Sequence, residues 1–229
     1  MADILLFAAH PDDVDFGMGG TYLRLCETHA VAQAILTRGE AGTHGTSVER
    51  EAEANAAAAF TGSHVEFLDF TDNHVEATVD TAMRLAAVIR AHKPRIVFAP
   101  YHTNDAPHTD GRAHPDHTAL GRAALMACRF AKFKNAGLDG EAHAVERIIY
   151  YMVPAYRKPS FVVDVTAQVP RLKELWTKYP SQLKIRDGKI VDLLLLDRHW
   201  QGKQNGLEYA EGFIVEEPLV LAPDDLLRT

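Results

Sequence analysis

Two short clusters hold most of the side chains able to do chemistry. "AAHPDD" carries His10, Asp12 and Asp13, and "AHPDH", about a hundred residues on, carries His114, Asp116 and His117. Adjacent aspartates repel unless a cation lies between them or their environments diverge. His10 and Asp13, three apart across a turn at Pro11, can face one point. Asp12 flanks that point, so one carboxylate reads as a ligand and the other as a free base. Taken alone, the first cluster also reads as a solvated loop with Asp12 capping the next helix. The second cluster shifts that balance. Pro115 suits a first helical turn, which puts His114 near the cap and His117 inside the helix. His117 then supplies a third ligand. His114 stands beside the metal as a donor, with Asp116 orienting its ring. Two imidazoles, one carboxylate and a water describe a catalytic Zn2+ site rather than a structural one. Fe2+ can take the same set.

The elements that must bring the clusters together are legible as runs. "DILLFAA" (3–9), "VAQAILT" (31–37), "HVEFLDF" (64–70) and "RIVFAP" (95–100) read as strands. Helical patterns separate them: 19–30, 48–60 with Ser47 as its cap, and 78–93, stopped by Pro94. That alternation predicts an α/β fold with a mostly parallel sheet and helices on both faces. Ligands in such sheets bind beyond the carboxyl ends of the strands, which marks the loops after Ala9, Thr37 and Pro100. Residues 101–116 form a long polar loop with His102 and His108, followed by a helix. Later strands are expected at 145–153, 161–166 and 208–215, and helices at 169–179 and within 191–204. No internal repeat or linker divides the chain, so one domain over 1–229 is expected, with 145–229 an extension packed on the same sheet.

The glycines Gly17, Gly19 and Gly20 invite a dinucleotide reading, but G-x-G-G misses the G-x-G-x-x-G pattern. Asp12 and Asp13 would also repel a pyrophosphate. Close helix–sheet packing explains these glycines better. The 229 residues carry a net charge of −7, which gives no overall basic footprint for nucleic acid or anionic lipid. Cys26 and Cys128 lie in helical patterns and read as buried thiols. No apolar run approaches the roughly 18 residues of a membrane span. The first ten residues lack a basic stretch followed by a long apolar one, so a cytoplasmic protein is expected.

"AAHPDDVDFGMGGT" together with "HPDH" resembles the LmbE / PIG-L family of zinc-dependent N-acetylglucosaminyl deacetylases. "LTRGEAGTHG", "REAEANAAAAFTG" and "RIVFAPY" extend the resemblance over most of the chain. "YYMV", "FVVDVT" and "EYAEGF" are similar to the branch that deacetylates N-acetylglucosaminyl-malate in bacillithiol biosynthesis. The resemblance implies a Rossmann-like three-layer α/β/α sandwich and a homo-oligomer, commonly hexameric. It implies His10, Asp13 and His117 as zinc ligands and Asp12 as general base. It implies His114 as the group that stabilises the oxyanion or protonates the leaving amine, tuned by Asp116, and Arg50 as a substrate contact. Three departures stand out, the first that Ile190 falls about where some relatives place a tyrosine near the site. The 102–113 segment is longer than usual, with Ala113 before His114, and Asp15 replaces a common glutamate. The expected reaction is removal of an N-acetyl group from a small N-acetylglucosaminyl conjugate, giving a free amine and acetate. The alternatives are a deacetylase of another N-acetyl-sugar, an amidase of a thiol-sugar conjugate, and an inactive metal-binding protein.

Overall fold

The computed structural model describes residues 2–103 and 113–220. Five parallel strands form the sheet in the order β3-β2-β1-β4-β5: β1 is Ile4–Ala8, β2 Val31–Ile35, β3 His64–Phe67, β4 Ile96–Pro100 and β5 Arg147–Tyr151. The order reverses between β1 and β4, so the crevice at the carboxyl end of β1 opens there.

Period-two alternation assigns the two faces. Leu5, Phe7 and Ala9 face one core with Leu85, Ile89, Leu120 and Ala127. That core is covered by α3 (Val79–His92) and α4 (Pro115–Ala131). Ile4, Leu6 and Ala8 face the other, with Val14, Tyr22, Ala57, Leu172 and Trp176. There α1 (Asp13–Thr28), α2 (Ser47–Thr61) and α5 (Val169–Trp176) form the cover. The three-layer α/β/α sandwich expected from the sequence is thus the fold.

Differences from expectation have local causes. Thr46, not Ser47, caps α2: its hydroxyl accepts from Glu49 N while the Glu49 carboxylate accepts from Thr46 N, a capping box. The second helix-forming run of α1 is continued backward to Asp13, with a break at Met18 (φ −147°, ψ 28°). The glycines do pack closely. A Cβ on Gly17 would lie 2.8 Å from the Tyr151 ring, and one on Gly20 2.7 Å from Val165 Cβ.

β6 (Phe161–Asp164) and β7 (Ala210–Phe213) do not join the main sheet. They pair antiparallel with each other and touch the sheet's edge through the bridge Tyr150–Ile214. Between them in the chain, α6 (Ile190–Gln204) follows a 3-10 segment.

Candidate metal centre

β1 delivers the chain into the crevice and ends at Ala8, just before Ala9. His10 and Pro11 turn it, and Asp13 opens α1. The Asp13 carboxylate folds back: Oδ2 accepts from Ala9 N and His10 N, each at 2.8 Å. This leaves Oδ1 facing inward, 3.0 Å from His117 Nε2 and 3.5 Å from His10 Nδ1. His10 Nδ1 and His117 Nε2 lie 3.1 Å apart. His117 comes from the first turns of α4, whose N1 residue is Pro115. Three donor atoms on a triangle with edges of 3.0–3.5 Å suit a tetrahedral cation, since ligands at 2.0–2.2 Å would stand about 3.3 to 3.6 Å apart. The His10, Asp13 and His117 donors can therefore hold a divalent metal ion.

The charges around the triangle make the same demand. Burial would lower the His10 pKa. The Asp13 charge, together with the Asp116 and Asp72 carboxylates close to the ring, prevails and raises it to about 12. So many carboxylates around one imidazole call for a positive charge at this point. Asp13 itself is held well below the usual carboxylate range: burial opposes its charge, but His117 and His10 outweigh it.

Sequence reasoning missed Asp72. It lies beyond β3 in a loop not marked as site-forming, and its Oδ1 stands 3.1 Å from His10 Nε2. Its other oxygen accepts from Ala41 N, and its own N–H donates to Glu40. The hydrogen bond to His10 brings its pKa down to about 2 despite the opposing effect of burial. With Nδ1 facing the triangle, Nε2–H donates to Asp72, an outer carboxylate that fixes tautomer and ring orientation. The available signal was positional: β3 is a strand of the same parallel sheet, so its carboxyl-end loop shares the crevice.

Asp12 occupies the N-cap position of α1, but its side chain makes no capping bond. Oδ1 instead accepts from Arg50 Nη2 at 2.5 Å. Burial raises the Asp12 pKa, Arg50 opposes that shift and Asp13 adds to it. Arg50 is buried, and its Nη1 donates to Gly39 O. Gly39 must be glycine: its φ is +65°, and a Cβ would fall 1.7 Å from Arg50 Nη1. Arg50 is thus held between the Gly39 carbonyl and the Asp12 carboxylate.

His114 caps α4, and its half-buried ring stands edge-on to that of His10, with centroids 4.7 Å apart. Its relation to Asp116 differs from expectation. The Asp116 carboxylate accepts from Asn73 N and Val75 N and lies 3.6 Å from His10 Nε2. The ring of His114 is reached by the Asp116 backbone instead, whose N–H donates to Nδ1 at 3.3 Å. Burial, then His10 and His117, lower the His114 pKa, and the opposing pull of Asp116 is smaller. A short first turn explains this: Asp116 is buried behind the helix start, so its side chain serves the 73–75 backbone. His102 pairs with Glu216 at 2.7 Å and does not join the triangle. His108 lies outside the described residues.

Comparison with known proteins places the chain in a family. The family model described as "PIG-L: GlcNAc-PI de-N-acetylase" matches residues 5–128, more than half of the chain. The diacetylchitobiose deacetylase of Thermococcus kodakarensis is 28% identical over 91% of this chain and 81% of its own. A conserved protein of Thermus thermophilus superposes with a TM-score of 0.87 at 34% identity, covering 97% of this chain and 98% of that one. The N,N'-diacetylchitobiose deacetylase of Pyrococcus horikoshii gives a TM-score of 0.83 at 25% identity, over 98% and 89% of the two chains. No helix among the described residues is long and apolar enough to cross a membrane. With motif, fold and donor set in agreement, the chain belongs to the PIG-L family and is a metal-dependent N-deacetylase of that family.

Proposed function

We propose that the protein hydrolyses the N-acetyl group of an N-acetylglucosaminyl conjugate, with His10, Asp13 and His117 holding Zn2+, or Fe2+ in the same set. The observation that carries this reading is Asp12. It neighbours Asp13 in the chain, yet one of its oxygens is held by Arg50 and it is not among the converging donors, which suits a base kept free of the metal. When bound, the cation polarises the acetamide carbonyl and brings the pKa of water toward about 7. Asp12 takes a proton from the attacking water, with Arg50 fixing one carboxylate oxygen. His114 accepts from Asp116 N at Nδ1, so its neutral tautomer carries the proton on Nε2. From there it donates a hydrogen bond to the developing oxyanion. Water adds to the carbonyl carbon, the C–N bond breaks, the nitrogen gains the proton that Asp12 took from the water, and acetate and a free amine leave with Asp12 again a carboxylate. Arg50, whose guanidinium borders Asp12, serves as the substrate contact.

The C-terminal motifs "FVVDVT" and "EYAEGF" support N-acetylglucosaminyl-malate as the substrate. The similarity to diacetylchitobiose deacetylases supports diacetylchitobiose as the second reading. Acetate release from both compounds by Zn2+-loaded protein decides between them. Asp12→Asn should keep zinc stoichiometry and lose about 10²- to 10⁴-fold in kcat, the usual contribution of a positioned base. Turnover near wild type in that variant sinks the base assignment. Zinc loss in Asp12→Asn would instead make Asp12 a ligand. A homo-oligomer, hexameric as in family members, belongs to the same proposal.

A further inference from the structure

We infer that Arg198 and Glu211, a buried ion pair in the C-terminal part of the chain, are positioning residues for the metal ligands, acting through the break in α1. This rests on His10, Asp13 and His117 being the metal site. In an unbroken helix the N–H of Gly20 would donate to the C=O of Phe16. Met18 interrupts that helix, and the pair stands between the two separated groups. Glu211 accepts from Gly20 N at 3.0 Å and from Thr21 N at 2.7 Å. Arg198 donates from Nε to Glu211 at 2.7 Å and from Nη2 to Phe16 O at 2.8 Å. Its Nη1 donates to Leu194 O, which ties the splint to α6.

A buried ion pair is a weak source of stability, because desolvation offsets its attraction. Both side chains here are only 3% exposed. Their use is geometric. The break leaves a free carbonyl and free N–H groups at one buried spot, and only a donor joined to an acceptor satisfies both. Neighbouring carbonyls of the first turn are held in the same way: Asp15 O by Trp176 Nε1 at 2.8 Å and Pro11 O by Tyr179 OH at 3.0 Å. The short turn that carries Asp13 is therefore oriented by the C-terminal part of the chain, independently of the rest of α1. Metal ligands need placement to within about 0.5 Å.

The test is Zn2+ affinity by chelator competition, together with the visible d–d spectrum of Co2+-substituted protein. Arg198→Met should bind Zn2+ at least tenfold more weakly and alter the Co2+ spectrum. Arg198→Lys, which keeps the charge but not the fork, should fall between. Arg90→Met is the matched control. It removes another buried arginine, one that donates to Ala131, Phe133, Leu138 and Gly140 carbonyls beyond the far end of α4. It should lower the melting temperature and leave Zn2+ affinity unchanged. Wild-type affinity and spectrum in Arg198→Met overturn the inference, as does an equal loss in Arg90→Met. If Arg198→Met does not fold, the isosteric Glu211→Gln is read in its place, and wild-type affinity there is equally fatal. A wild-type protein that binds no Zn2+ refutes the metal-site reading itself, a distinct result.

Discussion

His10 has both ring nitrogens committed, and the two commitments are of different kinds. Nδ1 faces Asp13 and His117, and Nε2 meets Asp72. An imidazole that donates to a carboxylate is a better ligand and a more rigid one. Asp72→Ala should therefore weaken Zn2+ binding about 10- to 100-fold while leaving the three ligands in place. Chelator competition measures this, and unchanged affinity would remove Asp72 from the site. The contrast between Asp72 and Asp13 shows what a sequence can display. His10, Asp13 and His117 were legible because local spacing and the strand-end rule act on adjacent residues. "DFTDNH" has no such local mark. Asp72 reaches His10 only because β2 lies between β3 and β1, and the loop after β2 supplies Glu40 and Ala41 to hold it across that gap. Asp116 was visible as a residue but not as a set of contacts, since its partners at 73–75 lie about forty positions away.

Of the elements, β1, β2, β4 and the helices α2 and α3 follow their apolar periods closely. The start of α1 does not, because its sequence reads against its structure. The helical pattern in the sequence starts only at residue 19, and the chain instead begins the helix at Asp13 and carries it through Gly17, Gly19 and Gly20 at the expense of a break at Met18. Substitution tests the role of these glycines. Gly→Ala inside a helix ordinarily stabilises by about 0.8–1.0 kcal/mol. At Gly20 the added methyl would meet Val165 Cβ at 2.7 Å. That atom is fixed to its own backbone, so it cannot swing aside as a side-chain end would. Overpacking of this kind costs about 1–3 kcal/mol, which exceeds the propensity gain. Gly20→Ala should accordingly destabilise the protein by about 1–2 kcal/mol in urea unfolding. A midpoint equal to or above that of wild type would mean that α1 and Val165 are not in contact. β6 and β7 show the opposite failure. Their strand character is plain in the sequence, but nothing in either run says that they pair with each other rather than extend the sheet.

The C-terminal part of the chain grips the metal loop with one side and presents an unusual helix with the other. α6 contains "LLLL", and the apolar stripe of a helix ordinarily faces a core. Here Leu193, Leu196 and Trp200, spaced three and four apart on one face, are 46%, 63% and 63% exposed. Trp200 also lines a cavity of about 580 Å³ between α6 and the 153–162 segment. Soluble monomers rarely leave such a patch open, and the fold of this chain has no further element to lay over it among the described residues. This supports the proposal that copies of the chain associate, with α6 as the proposed contact face. A glutamate at its centre would place a charge in an apolar interface that offers it no partner. Trp200→Glu should thus shift the mass seen by light scattering from an oligomer to a smaller species. Because residue 200 is exposed in the single chain, its secondary structure and Zn2+ content should be unchanged. An unaltered oligomer in Trp200→Glu would move the interface elsewhere, and a monomeric wild type would refute association altogether. Loss of zinc in Trp200→Glu would be the more consequential result. Arg198 lies two residues away on the same helix and donates to Phe16 O, so subunit contact and metal loop would then be coupled through α6.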